Sequence, residues 1–113
     1  MQRATKVELR KFLGAFSPEI ARVALRVRAF VLEEAPLAHE LVEDDRDTVV
    51  FRYAFTERPG DAFCRIAIHP ESVDLGFVQD HVRIEQIDDL RVPRVGRLLR
   101  ASMKQRAGGE PGS

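Results

Sequence analysis

Three short runs in the middle of the chain alternate apolar and polar residues, and no other pattern limits the fold as strongly. Alternation with a period of two gives a strand one apolar face. The pattern predicts three strands: Thr48–Phe55, Ala62–His69 and Val73–Phe77. Their connections are short, which favours antiparallel neighbours. In the first connection, Pro59 and Gly60 suit the central positions of a type II turn.

Helical patterns flank these strands. Apolar residues at three- and four-residue spacing predict a helix from Val7 to near Gly14 and a longer one reaching about Glu34. The second begins at Ser17 and Pro18, a hydroxyl cap followed by proline at the first helical position. Further predictions are short helical turns at Leu37–Val42 and Glu85–Leu90, a last helix from Pro93, and either a loop or a fourth strand at Val78–Ile84.

A small sheet with one apolar face needs helices to cover it. We therefore predict an α+β fold with N-terminal helices, a three- to four-stranded antiparallel sheet and a C-terminal helix. The 113 residues suffice for one domain, which we place at residues 1–106. Residues 107–113 contain almost nothing to bury, so a disordered tail is expected there.

Charge and cysteine content limit the functional classes. Eighteen basic and eighteen acidic residues give a formal net charge of zero, so nothing favours nucleic acid or anionic membranes as partners. The single cysteine cannot form an internal disulfide, and the first residues contain no signal-peptide core. A cytoplasmic location is expected.

Four pieces of the chain, in order between Ser17 and Lys104, resemble the YdhG-like domains of unknown function. Arg26–Glu40 resembles the family's "R…I…E…P…E" helix pattern, and Tyr53–Ala67 resembles its central hairpin. Val73–Phe77 resembles its "V-x-L-G-F" strand, and Gly96–Arg100 resembles its closing "G-K-x-x-R". The chain departs from the family at Asp80 and Arg94, where glycine is usual, and at Arg97, which replaces lysine. Some YdhG-like proteins are labelled frataxin-like iron chaperones, so the resemblance implies iron binding as one possible activity.

Acidic residues are concentrated before the first predicted strand. Carboxylate oxygens are hard ligands that suit iron or another divalent cation. The candidate metal ligands are Glu40, Glu43, Asp44, Asp45 and Asp47, with Glu33 and Glu34 nearby. The alternative is a solvated, charged segment that keeps the chain in solution, because the spacing matches no defined metal cage.

Arginines recur every three residues near the end of the chain. Arg94, Arg97 and Arg100 form a stripe on the predicted last helix, with Arg91, Lys104 and Arg106 around it. Guanidinium groups bind phosphate or carboxylate through paired hydrogen bonds. The alternative is that these arginines complement the helix dipole or pair with the acidic segment, within one chain or across a homodimer. Nucleic acid is disfavoured because no aromatic residues lie among the arginines.

The remaining reactive side chains have structural interpretations. Cys64 alternates with Ile66 on an apolar strand face, which predicts a core cysteine. The histidines lack ligand spacing, although His69 lies at a strand end where a site can form. Arg52 and Arg65 fall on the opposite face from the main apolar residues, and simple strand pairing would make that face exposed or a binding face.

Three functional hypotheses follow. The first is a non-catalytic binding or interaction module whose ligand is a small anion or an acidic protein surface, without a cofactor, bound by Arg94, Arg97 and Arg100. The second is an iron-binding chaperone that uses the acidic segment. An enzyme ranks last, because the chain has no nucleophile elbow, no glycine-rich phosphate loop and no paired-carboxylate motif.

Overall fold

The computed structural model describes residues 2–107. In that range the chain forms three α-helices, five strands and two short 3-10 helices, Pro59–Asp61 and Ile87–Arg91. In chain order the longer elements are α1 (Lys6–Leu13), α2 (Pro18–Glu34), β1 (His39–Asp45), β2 (Thr48–Ala54), β3 (Cys64–His69), β4 (Ser72–Phe77), β5 (His81–Arg83) and α3 (Pro93–Ala107).

The five strands form one antiparallel sheet in which each strand pairs with the next along the chain. The register places Phe51 opposite Ile66, and Ile66 opposite Leu75. All three side chains are buried, so they lie on the inner face. The α+β prediction is confirmed, with helices before and after an antiparallel sheet.

Local signals in the sequence account for the first two helices. The hydroxyl of Thr5 accepts from the Glu8 amide and the Glu8 carboxylate accepts from the Thr5 amide, which is a capping box. Ser17 caps α2 by accepting from the Ile20 amide, and Pro18 occupies the first turn as predicted. The helix ends at Glu34, two residues before Pro36.

The helices cover the inner face and leave the outer face of the sheet partly exposed. Ala24, Val27 and Val31 of α2 pack in the core with Val95 and Leu99 of α3 and with the apolar residues of β2 to β4. Helices α2 and α3 both contact β3 and β4. Side chains that alternate with the buried ones, among them those of Arg52 and Arg65, therefore point outwards.

The helical turn predicted at Leu37–Val42 is wrong, because this stretch begins strand β1. The buried, inward-pointing residue of β1 is Glu40. Because this residue is acidic, the stretch lacks the alternation of apolar and polar residues by which a strand is recognised. The Val78–Ile84 stretch, predicted as either a loop or a fourth strand, contains the short strand β5. With β1 and β5 added to the three predicted strands, the sheet has five.

The type II turn predicted around Pro59 and Gly60 is also wrong. These residues form a 3-10 helix, in which Gly60 does not occupy the left-handed region. Side-chain bonds organise the connection instead: the Thr56 hydroxyl donates to Asp61 at 2.8 Å and accepts from the Arg58 amide at 3.1 Å.

Near the end of the chain, the helical turn predicted for Glu85–Leu90 is present as the 3-10 helix Ile87–Arg91. Of the tail predicted to be disordered, Ala107 is the last residue of α3, and residues 108–113 lie outside the described residues.

Candidate functional site

Two arginines lie side by side on the outer face of the sheet. Arg52 of β2 is directly opposite Arg65 of β3 in the antiparallel register. The strand pairing considered from the sequence, with both side chains away from the apolar face, is confirmed. Like charges directly opposite each other destabilise a sheet, so the pair opposes folding locally.

The partners of the two arginines differ. Arg52 donates from its Nε to the carboxylate of Glu43 on β1. Within residues 2–107, Arg65 forms no ion pair with a carboxylate. Its guanidinium lies against Gly76 of β4, where an added Cβ would come within 2.9 Å of the Arg65 Cζ. Glycine therefore provides the space that the Arg65 side chain occupies.

A cavity of about 170 Å³ lies at this end of the sheet. The connection between β2 and β3, the end of β4 and the last turn of α3 form its walls, which include Arg52, Arg65 and Arg106. Ser102 holds α3 in place here, since its buried hydroxyl accepts from the Val78 amide at 2.8 Å. Among the described residues, no aspartate or glutamate lines the cavity. Three arginines thus line one concave surface.

The predicted stripe Arg94, Arg97 and Arg100 lies on the exposed side of α3. Arg94 pairs with Asp80 at 2.7 Å, and Arg100 lies 3.7 Å from Glu34. Arg97 forms no ion pair in the part of the chain that the structure describes. Two of the three arginines therefore already face a carboxylate. The pair between Arg100 and Glu34 also joins the arginine stripe to an acidic residue near the predicted metal ligands.

Glu40 is buried, and four donors occupy its carboxylate. Its Oε2 accepts from Arg28 Nε at 2.7 Å and from the Tyr53 hydroxyl at 2.6 Å. Its Oε1 accepts from Arg28 Nη2 at 3.0 Å and from the Ala4 amide at 2.9 Å. The hydrogen bond to Glu40 raises the pKa of Arg28, and burial together with the Glu40 charge raises the pKa of Tyr53 well above its ordinary value. We name Arg28, Glu40 and Tyr53 the buried cluster.

The segment before α1 runs beside β1 and supplies part of this arrangement. The Glu40 amide donates to the Gln2 carbonyl at 2.7 Å, and the Gln2 amide donates to His39 Nδ1 at 3.2 Å. The Arg3 side chain donates to the carbonyls of Ala38 and Pro36. These bonds bring the Ala4 amide to Glu40.

The strand conformation of β1 separates the other predicted metal ligands. Alternation directs Asp44 to the same side as Glu40, while Glu43 and Asp45 point to the opposite side. Asp47 lies in the turn that follows, after Arg46, whose φ is 51°. Within residues 2–107, no three histidine, cysteine, aspartate or glutamate side chains lie together as a metal site. Iron binding stays a prediction without a gathered ligand set in that range.

Cys64 lies in the core, as its alternation predicts, and burial raises the pKa of its thiol. His69 has polar neighbours on the outer face. Thr48 Oγ1 lies 3.4 Å from its Nδ1, and Asp74 Oδ2 lies 3.6 Å from its Nε2. Both distances exceed the roughly 2.6–3.2 Å of an activated nucleophile and its base. Asp74 is also paired with Arg83 at 3.2 Å, so the group is a surface polar network.

Sequence reasoning did not identify Arg28, Tyr53 or Arg106 as parts of these arrangements. Arg28 is twelve residues from Glu40 and on the other side of Pro36. Arg106 reaches the cavity only because α3 packs across the end of β4. The available signals were the outward alternation of Arg52 and Arg65 and the glycine of the Val73–Phe77 strand.

Comparison of the chain with known protein families, with curated proteins and with solved structures gave no match. The resemblance to YdhG-like domains stays a prediction. Within residues 2–107, no helix has the length and apolar character needed to cross a membrane.

Proposed function

We propose that this protein is a non-catalytic binding module for an anionic ligand, acting in the cytoplasm. The observation that carries the proposal is the cavity at the end of the sheet, whose walls include Arg52, Arg65 and Arg106 and, among the described residues, no acid. Guanidinium groups that converge on a concave surface without competing carboxylates form a favourable environment for an anion.

The arginines of this cavity are better suited to binding an anion than those of the stripe on α3. Two of the three stripe arginines, Arg94 and Arg100, already face a carboxylate. Of the three cavity arginines, one forms an ion pair within residues 2–107: Arg52, whose partner Glu43 is half-exposed. An exposed ion pair contributes at most about 1 kcal/mol, so sharing Arg52 with a ligand costs little. The stripe Arg94, Arg97 and Arg100 is the competing location.

The chemistry around the cavity supports binding without catalysis. Cys64 also lines it, but burial raises the pKa of this thiol, so it is not a thiolate nucleophile near neutral pH. The described lining has neither a histidine nor a carboxylate to move a proton.

Sulfate is the first probe, since its charge does not change over the working pH range. We expect sulfate to raise the melting temperature of the protein and to give a measurable dissociation constant by calorimetry. Loss of a charge-assisted hydrogen bond is worth about 1.5–3 kcal/mol, so Arg65→Gln and Arg106→Gln should each weaken binding about tenfold or more.

Arg97→Gln is the matched control, because Arg97 is also an exposed arginine that forms no ion pair within residues 2–107. It should leave sulfate binding unchanged. If Arg97→Gln weakened binding while Arg65→Gln did not, the ligand would bind at the stripe. Absence of sulfate binding in the unsubstituted protein would exclude the proposed function.

A further inference from the structure

We infer that the arginine cavity binds the dianionic phosphoryl group of a phosphate monoester. This inference rests on the proposed anion-binding function and names the chemical class of its ligand. Three features of the cavity support it: its charge, its size and the hydrogen-bonding groups that line it.

The charge of the cavity matches a dianion. Arg52, Arg65 and Arg106 supply three positive charges, and Glu43 neutralises one of them through Arg52. Two positive charges are left without a carboxylate within residues 2–107. A phosphate monoester carries about −1.5 to −2 at pH 7, whereas a single carboxylate carries one charge and would leave one arginine uncompensated.

The size of the cavity fits a head group. Its volume of about 170 Å³ lies below the roughly 300–1,000 Å³ of pockets that enclose a drug-sized ligand. A phosphoryl group can therefore enter while the rest of the ligand stays outside. The lining includes Gly60, around which an added Cβ would meet no atom within 4 Å, so there is open space beside the connection between β2 and β3.

The hydrogen-bonding groups suit phosphate oxygens. Each guanidinium presents a planar fork of N–H donors that matches phosphate geometry. Two of the three arginines belong to neighbouring strands and the third to the end of α3, so the lining arginines come from different elements. Three acceptor oxygens on a phosphoryl group can use such donors together, while a carboxylate offers two.

The test compares sulfate, glycerol phosphate and a short phosphoserine peptide by calorimetry at pH 5 and pH 7.5. The second pKa of a phosphate monoester is about 6, so about a tenth of it is dianionic at pH 5 and nearly all at pH 7.5. Glycerol phosphate and the peptide should bind about tenfold more weakly at the lower pH, and sulfate should bind equally at both. Among the described residues, the carboxylate that forms an ion pair with a lining arginine is that of Glu43.

Arg65→Gln and Arg106→Gln should each weaken glycerol phosphate binding about tenfold, and Arg97→Gln should not. Urea denaturation of each variant checks that the fold is intact. Tighter binding of the peptide than of glycerol phosphate would indicate a phosphorylated side chain as the source of the group. Tighter binding of glycerol phosphate than of the peptide would indicate that the phosphoryl group belongs to a small metabolite.

Two results would overturn the inference, and they differ in what else they exclude. If sulfate bound through Arg65 but glycerol phosphate showed no dependence on pH, the anion-binding function would stand and the phosphoryl ligand would be wrong. Failure of every anion to bind would exclude both the ligand and the function.

Discussion

Arginines on the two sides of the sheet have opposite surroundings: Arg28 reaches the inner side from α2, and Arg52 and Arg65 lie on the outer face. On the inner side, Arg28 donates twice to the carboxylate of Glu40, which is buried and also accepts from Tyr53. On the outer side, Arg52 and Arg65 lie directly across from each other, and within residues 2–107 only Arg52 has a carboxylate partner. The charge of Arg28 is therefore compensated by a buried carboxylate, whereas that of Arg65 has no carboxylate partner within residues 2–107.

The difference separates stability from binding. Removing one member of a buried ion pair leaves the other charge without compensation, so the buried cluster is expected to support the fold. Arginines opposite each other on a solvent-exposed face gain little for the fold, and an anion is the partner that would relieve their repulsion. Substitutions in the two groups should therefore have different effects, and the largest should come from the buried cluster.

Glu40→Ala should cause the largest loss of stability. It leaves the Arg28 guanidinium and the Tyr53 hydroxyl without their shared acceptor. We expect the free energy of unfolding, measured by urea denaturation, to fall by about 3 kcal/mol. The matched control is Glu43→Ala on the exposed pair, which should cost about 1 kcal/mol or less. Equal losses in the two variants would contradict the contrast between the faces.

Tyr53→Phe should have the next largest effect. The substitution keeps the ring in the core and removes only the hydroxyl that donates to Glu40 at 2.6 Å. Hydrogen bonds to charged groups contribute about 1.5–3 kcal/mol, so we expect a loss of about 2 kcal/mol in urea denaturation. A change below about 0.5 kcal/mol would show that the hydroxyl contributes little to the cluster.

The protein should lose stability in alkali. Burial raises the pKa values of Cys64 and Tyr53, whose ordinary values are 9.0 and 10.0. Above these values the unfolded chain releases protons that the folded chain keeps, so rising pH favours unfolding by up to about 1.4 kcal/mol per pH unit for each group. Urea denaturation between pH 8 and pH 11, in steps of about one unit, measures this slope.

Tyr53 is the one tyrosine in the chain, so tyrosinate absorbance reports on it alone. That absorbance should appear together with unfolding. Tyr53→Phe should reduce the slope above about pH 10 and leave the part that begins near pH 9. Appearance of tyrosinate in the folded protein near pH 10 would contradict the environment described for the buried cluster.

Arg65→Gln should have the smallest effect on stability. It removes a positive charge directly opposite Arg52 and breaks no ion pair within the described residues. We expect the free energy of unfolding to change by no more than about 0.5 kcal/mol. The expected sign is an increase, because the substitution relieves the repulsion between the two arginines. A loss above about 1 kcal/mol would place Arg65 among the groups that stabilise the fold.

Local signals in the sequence predicted much of the fold. Ser17 and Pro18 mark the start of α2, and alternation in the middle of the chain identified β2, β3 and β4. Strand β1 was missed because its buried position holds Glu40, whose burial depends on Arg28 from another element. A residue pattern reports the local preference for a strand or a helix. Whether a charged residue can be buried depends on a partner that is distant in the sequence.

The candidate site was predictable to a smaller extent. Alternation placed Arg52 and Arg65 on the face away from the core. The contribution of Arg106 depends on where α3 ends relative to β4, which is a property of packing. In the stripe Arg94, Arg97 and Arg100, the spacing is regular, but the carboxylates of Asp80 and Glu34 that face it come from elsewhere in the chain.

The segment from Gln2 to Ala4 has a further consequence for self-association. A strand at the border of a sheet exposes amides and carbonyls that can pair with another copy of the chain. Here the Gln2 carbonyl accepts from the Glu40 amide at 2.7 Å, so part of the β1 border is already occupied. At the opposite border β5 has only three residues, His81–Arg83, two of them exposed. The Gln2–Ala4 segment thus shields part of the β1 border against pairing with another copy, and the shortness of β5 limits pairing at the other border.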